Sequence, residues 1–127
     1  MASTVLIVED QEDFRLTLAD LLRLDGWTAF VAASVDEALV VAQRGGIDIV
    51  LCDVILPRKR GPELQRAFAL DPALMAIPFV FMTGHAPHAE QLAPSPVLLK
   101  PFLVDRLAET LARVLAISSG GVPSRRC

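Results

Sequence analysis

Five short apolar runs, separated by stretches of helical periodicity, limit what this chain can fold into more than any other feature. They are TVLIV (4–8), WTAFV (27–31), IDIVLC (47–52), IPFVFM (77–82) and PVLL (96–99). Each has the length of a strand. The third and fourth are nearly continuous in apolar character, as strands are when both faces of a parallel sheet are covered. Helical patterns fill the intervals. Phe14, Leu18, Leu21 and Leu22 share one face of 12–24, which Gly26 stops. Ser34 and Glu37 read as a capping box opening a helix that runs to Gln43 or Arg44 and ends at Gly45-Gly46. Pro62 and Asp71-Pro72 bound a shorter helix over 62–70. Leu103, Leu107, Leu111, Val114 and Leu115 pattern the last, over 102–116.

Strand and helix therefore alternate through the chain. Short connections and right-handed crossovers turn that alternation into an open parallel sheet with helices on both faces. The simplest strand order is 2-1-3-4-5, a flavodoxin-like three-layer α/β fold. Between residues 84 and 95 the fourth helix is expected to be short or irregular, because Pro87 and Pro94 leave too few residues between them for a stable helix. The length of 127 residues suits one domain, which we place at 1–117, followed by a flexible tail, SSGGVPSRRC, at 118–127.

Composition removes several function classes. The chain is 53% hydrophobic, yet no run approaches the ~18 apolar residues of a membrane helix. MASTVLIVED has no cationic segment before its apolar stretch, unlike a secretory signal. A net charge of −3 offers no basic footprint for nucleic acid. Cys52 lies inside an apolar run and Cys127 is the last residue, so no disulfide framework is expected and the compartment is cytoplasmic.

In a sheet of this order, ligands bind beyond the carboxyl ends of the strands, beside strand 1. Strand 1 ends in Glu9-Asp10, strand 3 in Asp53, strand 4 in Thr83-Gly84 and strand 5 in Lys100-Pro101. The acids of strands 1 and 3 meet at one rim, where they repel one another unless a cation joins them. Oxygen ligands on loops suit Mg²⁺, which often shares a site with phosphate. An Asp held there can attack a phosphoryl group, whose other oxygens then need a hydroxyl and a cation. Thr83 and Lys100 are those groups. Taken singly, each residue has a plainer reading: Asp10 as a helix cap, Thr83 as a strand-end hydroxyl, Lys100 as a solvated cation. His85 and His88 read as a loop pair that ligates nothing, and Arg58, Lys59 and Arg60 as a solvated loop. The weight lies in four strand ends carrying the parts of one phosphoryl site.

The stretches VLIVED, DIVLCDVILPRKRG, PFVFMTGHA and LLKPF, in this order and at these separations, resemble the receiver domains of two-component response regulators over residues 4–116. The resemblance implies that Asp53 is the phosphoacceptor. It implies that Glu9 and Asp10 hold Mg²⁺ together with Asp53 and the main-chain carbonyl of Ile55. Thr83 then corresponds to the switch hydroxyl and Lys100 to the lysine that contacts the phosphoryl group. The Lys100–Pro101 peptide bond is similar to one that is usually cis in the family. Three departures stand out. Arg60 occupies a place where Asp or Asn is common, Val97 one where an aromatic is usual, and the stretch between Thr83 and Lys100 is short, as in receivers of hybrid histidine kinases and some stand-alone ones.

The expected function is thus that of a phosphoacceptor rather than an enzyme. Its partners would be a histidine kinase or histidine phosphotransfer protein and an unknown downstream protein, with no nucleic acid and no membrane, as a monomer or weak dimer. The chain as it stands leaves no room for a DNA-binding or enzymatic output domain. Three rivals are weaker. A flavin-binding flavodoxin needs a phosphate-cradling loop after strand 1, where Glu9 to Asp13 would repel an anion. A Mg²⁺-dependent phosphatase of the haloacid-dehalogenase type needs a second Asp where Ile55 stands. An unphosphorylated docking module has no need of Asp53, Thr83 and Lys100 together.

Overall fold

The computed structural model describes residues 3–84 and 95–120. Five parallel strands run β1 (Thr4–Val8), β2 (Thr28–Ala32), β3 (Ile49–Asp53), β4 (Phe79–Thr83) and β5 (Val97–Leu99), in the order β2-β1-β3-β4-β5. Four helices are described: α1 (Glu12–Leu24), α2 (Val35–Gln43), α3 (Gly61–Ala69) and α4 (Val104–Gly120). The order is the one expected from the sequence. The short or irregular helix expected across 85–95, with His85, His88, Pro87 and Pro94, falls almost wholly outside the described residues.

Alternation along the strands builds two cores, one on each face. Leu6, Val8, Val50, Cys52, Phe79 and Phe81 face α2 and α3, where they meet Val35, Ala38, Ala42, Leu64 and Phe68. Phe68, Phe79 and Phe81 stack in sequence, with centroids 5.0 Å and 5.7 Å apart. On the other face Val5, Ile7, Ile49, Leu51, Val80, Met82 and Leu98 meet Leu18, Ala19 and Leu22 of α1 and Leu107 and Leu111 of α4. Every residue of β3 and β4 is buried, which accounts for their unbroken apolar runs.

The element boundaries shift slightly from the sequence reading. β2 starts at Thr28 rather than Trp27, because the Trp27 N–H donates to Leu22 O and closes the end of α1. Gly26 makes that closure possible at φ 99°. Ser34 caps α2 through its hydroxyl, which accepts from the Glu37 N–H at 3.2 Å. The Glu37 carboxylate does not return to the Ser34 N–H, as a full capping box requires, but accepts from Ala33 N at 2.8 Å. α4 runs to Gly120, so residues 118–120 continue the helix instead of opening the tail. Two serines are poor helix stops, and the first strong breaker in this stretch is the glycine pair that begins at Gly120. Residues 121–127 lie outside the described residues.

Candidate functional site

Register places the site. Val8 pairs with Cys52 and Asp53 with Met82, so the ends of β1, β3 and β4 form one rim. The Glu9 N–H continues the sheet to Ala32 O at 3.0 Å, and the Lys100 N–H donates to Thr83 O at 2.8 Å. The backbone therefore carries Glu9, Asp53, Thr83 and Lys100 to the same edge while still hydrogen-bonded in the sheet.

Glu9, Asp53 and Thr83 are buried, whereas Asp10 is exposed. Carboxylate oxygens of Glu9, Asp10 and Asp53 all lie within 4.8 Å of one another. Lys100 Nζ lies 2.7 Å from Asp53 Oδ2 and 3.1 Å from Glu9 Oε1. The other oxygens of Glu9 and Asp53 are held by main chain. Gln11 N–H donates to Glu9 Oε2 at 3.0 Å, and Ile55 N–H donates to Asp53 Oδ1 at 3.2 Å. Ile55 thus belongs to the turn that orients Asp53, and its own side chain points outward, half exposed.

The charges perturb one another. Burial, followed by a shared hydrogen bond with the Asp53 carboxylate, pushes Glu9 from 4.5 up to about 7, against the lowering effect of Gln11 N–H and Lys100. For Lys100 burial is the largest single influence and pulls its pKa down. The hydrogen bonds and charges of Asp53 and Glu9 together outweigh it, and the net shift is upward. The lysine is therefore held as a cation. Burial raises the Cys52 thiol well above its ordinary range, with the charges of Asp53 and Glu9 adding to the effect, so this residue is a packed core thiol and no nucleophile.

Three supports escaped the sequence reading. Phe14, read there only as part of an apolar helix face, lies under Lys100, whose Nζ is 4.8 Å from the ring centroid. Gly61 presses its Cα against the Asp53 main chain: a Cβ there would overlap the Asp53 carbonyl oxygen and come within 3.1 Å of Cys52 Sγ. Arg15 donates from Nη1 to Glu9 O at 3.0 Å. Only an invariable glycine or a charged residue just inside a helix could have hinted at the last two, and neither is informative in a single sequence.

The Arg58–Arg60 run is a loop, as expected, but it is tied down. Lys59 Nζ reaches Asp36 Oδ1 at 2.8 Å, joining the β3–α3 loop to the start of α2. Arg58 sits at φ 67°, an uncommon conformation for a residue with a side chain. Arg60 caps α3 by its backbone alone, donating to Glu63 Oε1 at 3.3 Å, because its side chain has no acceptor to offer. Val97 pairs with Phe81 and packs, half-buried, against the α2–α3 core. The Lys100–Pro101 bond is cis.

Comparison with known proteins bears on this arrangement directly. The family described as response regulator receiver domain matches residues 5–112. This chain belongs to that family. Among its relatives, the sensor kinase CckA of Brucella abortus (strain 2308) is 36% identical over 90% of this chain, although the chain spans only 13% of that kinase. The next relatives are likewise longer, the chain covering 25% and 52% of their lengths. Among solved structures, the chemotaxis response regulator CheY4 of Vibrio cholerae superposes with a TM-score of 0.82 at 28% identity, covering 90% of this chain and 99% of that one. The receiver domain of the hybrid histidine kinase CckA gives a TM-score of 0.75 at 32% identity, covering 89% and 99%. In this receiver domain no described helix is long and apolar enough to cross a membrane.

Proposed function

We propose that this receiver domain accepts a phosphoryl group on Asp53 from a histidine kinase or a histidine phosphotransfer protein. The observation that carries the reading is the setting of the Asp53 carboxylate. One oxygen is fixed by Ile55 N–H and the other by Lys100, inside a cluster of three carboxylates. Such a group is rigidly held and largely desolvated, with one cation beside it to meet the charge of the incoming group, as a nucleophile toward a phosphoryl group needs to be. An Asp53 oxygen forms the new bond to phosphorus as the P–N bond of the donor breaks, and the electron pair of that bond returns to the imidazole. Lys100 then neutralises an oxygen of the transferred group, and the Thr83 hydroxyl, at the buried end of the neighbouring strand, donates to another.

The donor set suits Mg²⁺, since it is all oxygen, compact and partly exposed through Asp10. Glu9, Asp10, Asp53 and the Ile55 carbonyl would hold the ion, which supplies charge neutralisation for the phosphoryl oxygens when bound. The chain acts as an acceptor rather than as an enzyme with turnover. It signals by protein contact, in the cytoplasm, as a monomer or weak dimer, and without binding nucleic acid. The test is transfer from a phosphorylated histidine kinase, followed by intact mass. Addition of a single phosphoryl group that requires Mg²⁺ supports the reading. Labelling that ignores Mg²⁺, or no labelling by any histidine-phosphate or small-molecule phosphodonor, contradicts it.

A further inference from the structure

The two acids that begin the site sit side by side at the end of β1, and they are held very differently. Glu9 has both carboxylate oxygens bonded, to Gln11 N–H and to Lys100. The Asp10 carboxylate has no hydrogen bond or ion pair among the described residues. Its direction is therefore set by the main chain of the turn that carries it. That main chain is gripped by one side chain from outside the acidic cluster. Arg15, in the first turn of α1, donates from Nη1 to Glu9 O at 3.0 Å and reaches Asp10 O at 3.5 Å. Its own N–H donates to Gln11 O at 2.9 Å. The Arg15 side chain thus fastens the turn at two consecutive carbonyls, closely at Glu9 and more loosely at Asp10, while the Gln11 bond is the ordinary first hydrogen bond of the helix.

We propose that Arg15 is a positioning residue for the metal site: by holding the carbonyls of Glu9 and Asp10 it aims the Asp10 carboxylate at the point where the three acids converge. The inference rests on the Mg²⁺ reading above and deepens it. A planar guanidinium presents several donors in a fixed fork, which suits two adjacent carbonyls better than the single ammonium of lysine. A rigid turn lowers the cost of ordering a ligand that no other described side chain holds. A cation so close to a cation site also repels the incoming ion, and if that repulsion dominated, removing Arg15 would tighten binding. The two effects have opposite signs, and measurement separates them.

Arg15→Met keeps the aliphatic stem and removes both the donors and the charge. Arg15→Lys keeps the charge and one short-range donor. Each full-length variant is titrated with MgCl₂ alone by calorimetry and melted in metal-free buffer. Positioning gives Arg15→Met an affinity about tenfold weaker than wild type, the low end for loss of an outer partner of a metal ligand. Arg15→Lys falls between the two, and both variants melt close to wild type. Tighter or unchanged Mg²⁺ binding by Arg15→Met overturns the proposal, as does a loss of affinity that merely follows a large fall in melting temperature. Wild-type protein that binds no Mg²⁺ overturns the metal reading as well, whereas the other adverse results strike Arg15 alone.

Discussion

Lys100 Nζ lies 2.7 Å from Asp53 Oδ2, joining the end of β5 to the end of β3 across the intervening β4. The same ammonium reaches Glu9 Oε1 at 3.1 Å, at the end of β1. One cation therefore holds together a rim whose acids would otherwise repel, and the Phe14 ring, 4.8 Å from its Nζ, adds a cation–π contact.

Replacing this cation tests the rim itself. Lys100→Met leaves two buried carboxylates facing each other without their partner, and should destabilise the metal-free protein by about 1–3 kcal/mol. Mg²⁺ replaces the missing charge, so the ion should raise the melting temperature of the variant more than that of wild type. Thermal melts with and without Mg²⁺ check both points. A variant as stable as wild type in metal-free buffer would show that Lys100 does not hold the rim.

Glu9 gives the stability a pH dependence whose sign is fixed. Its carboxyl rises from 4.5 in the unfolded chain to about 7 in the fold. Across that window the native state holds a proton that the unfolded state has lost. Glu9 therefore contributes stability that is complete below pH 4.5 and falls away as pH rises to about 7. Asp36 and Asp71 are held below their usual range, by Lys59 and by Gln43, so their contributions are lost only at more acidic pH. Urea midpoints of metal-free protein should decline across the Glu9 window, and Glu9→Gln should remove the decline. Stability that rises with pH there contradicts the assignment.

Gly61 should tolerate no side chain. Its Cβ would overlap backbone, the Asp53 carbonyl, and no flexible group can move aside. Gly61→Ala should cost about 1–3 kcal/mol as local overpacking, measured by urea denaturation. It should also slow phosphoryl acceptance, since the displaced atom belongs to the acceptor residue. Full stability in this variant would mean that the β3–α3 loop is softer than its contacts imply.

Much of this was legible beforehand because the signals are local. Unbroken apolar runs can only be β3 and β4, buried on both faces, and the strand order follows from short crossovers. That Glu9, Asp53, Thr83 and Lys100 meet at one rim was legible because each stands at a strand end, where the fold itself brings them together. The supports were not legible, for a physical reason. Phe14 looks like any helix-face apolar residue until α1 and the end of β5 are placed side by side. Arg15 acts on carbonyls, which no sequence pattern displays. The detour of Glu37 to Ala33 N, in place of a closed capping box, depends on a turn geometry that residue types alone leave open.

The most direct measurement is intact mass of wild type and Asp53→Asn after incubation with a phosphodonor and Mg²⁺. An amide is no comparable nucleophile, and it keeps nearly the same shape beside Lys100 and Ile55 N–H. The expected result is one phosphoryl group on wild type and none on the variant, with both proteins folded. Equal labelling of the two would place the acceptor elsewhere and contradict the assignment of Asp53.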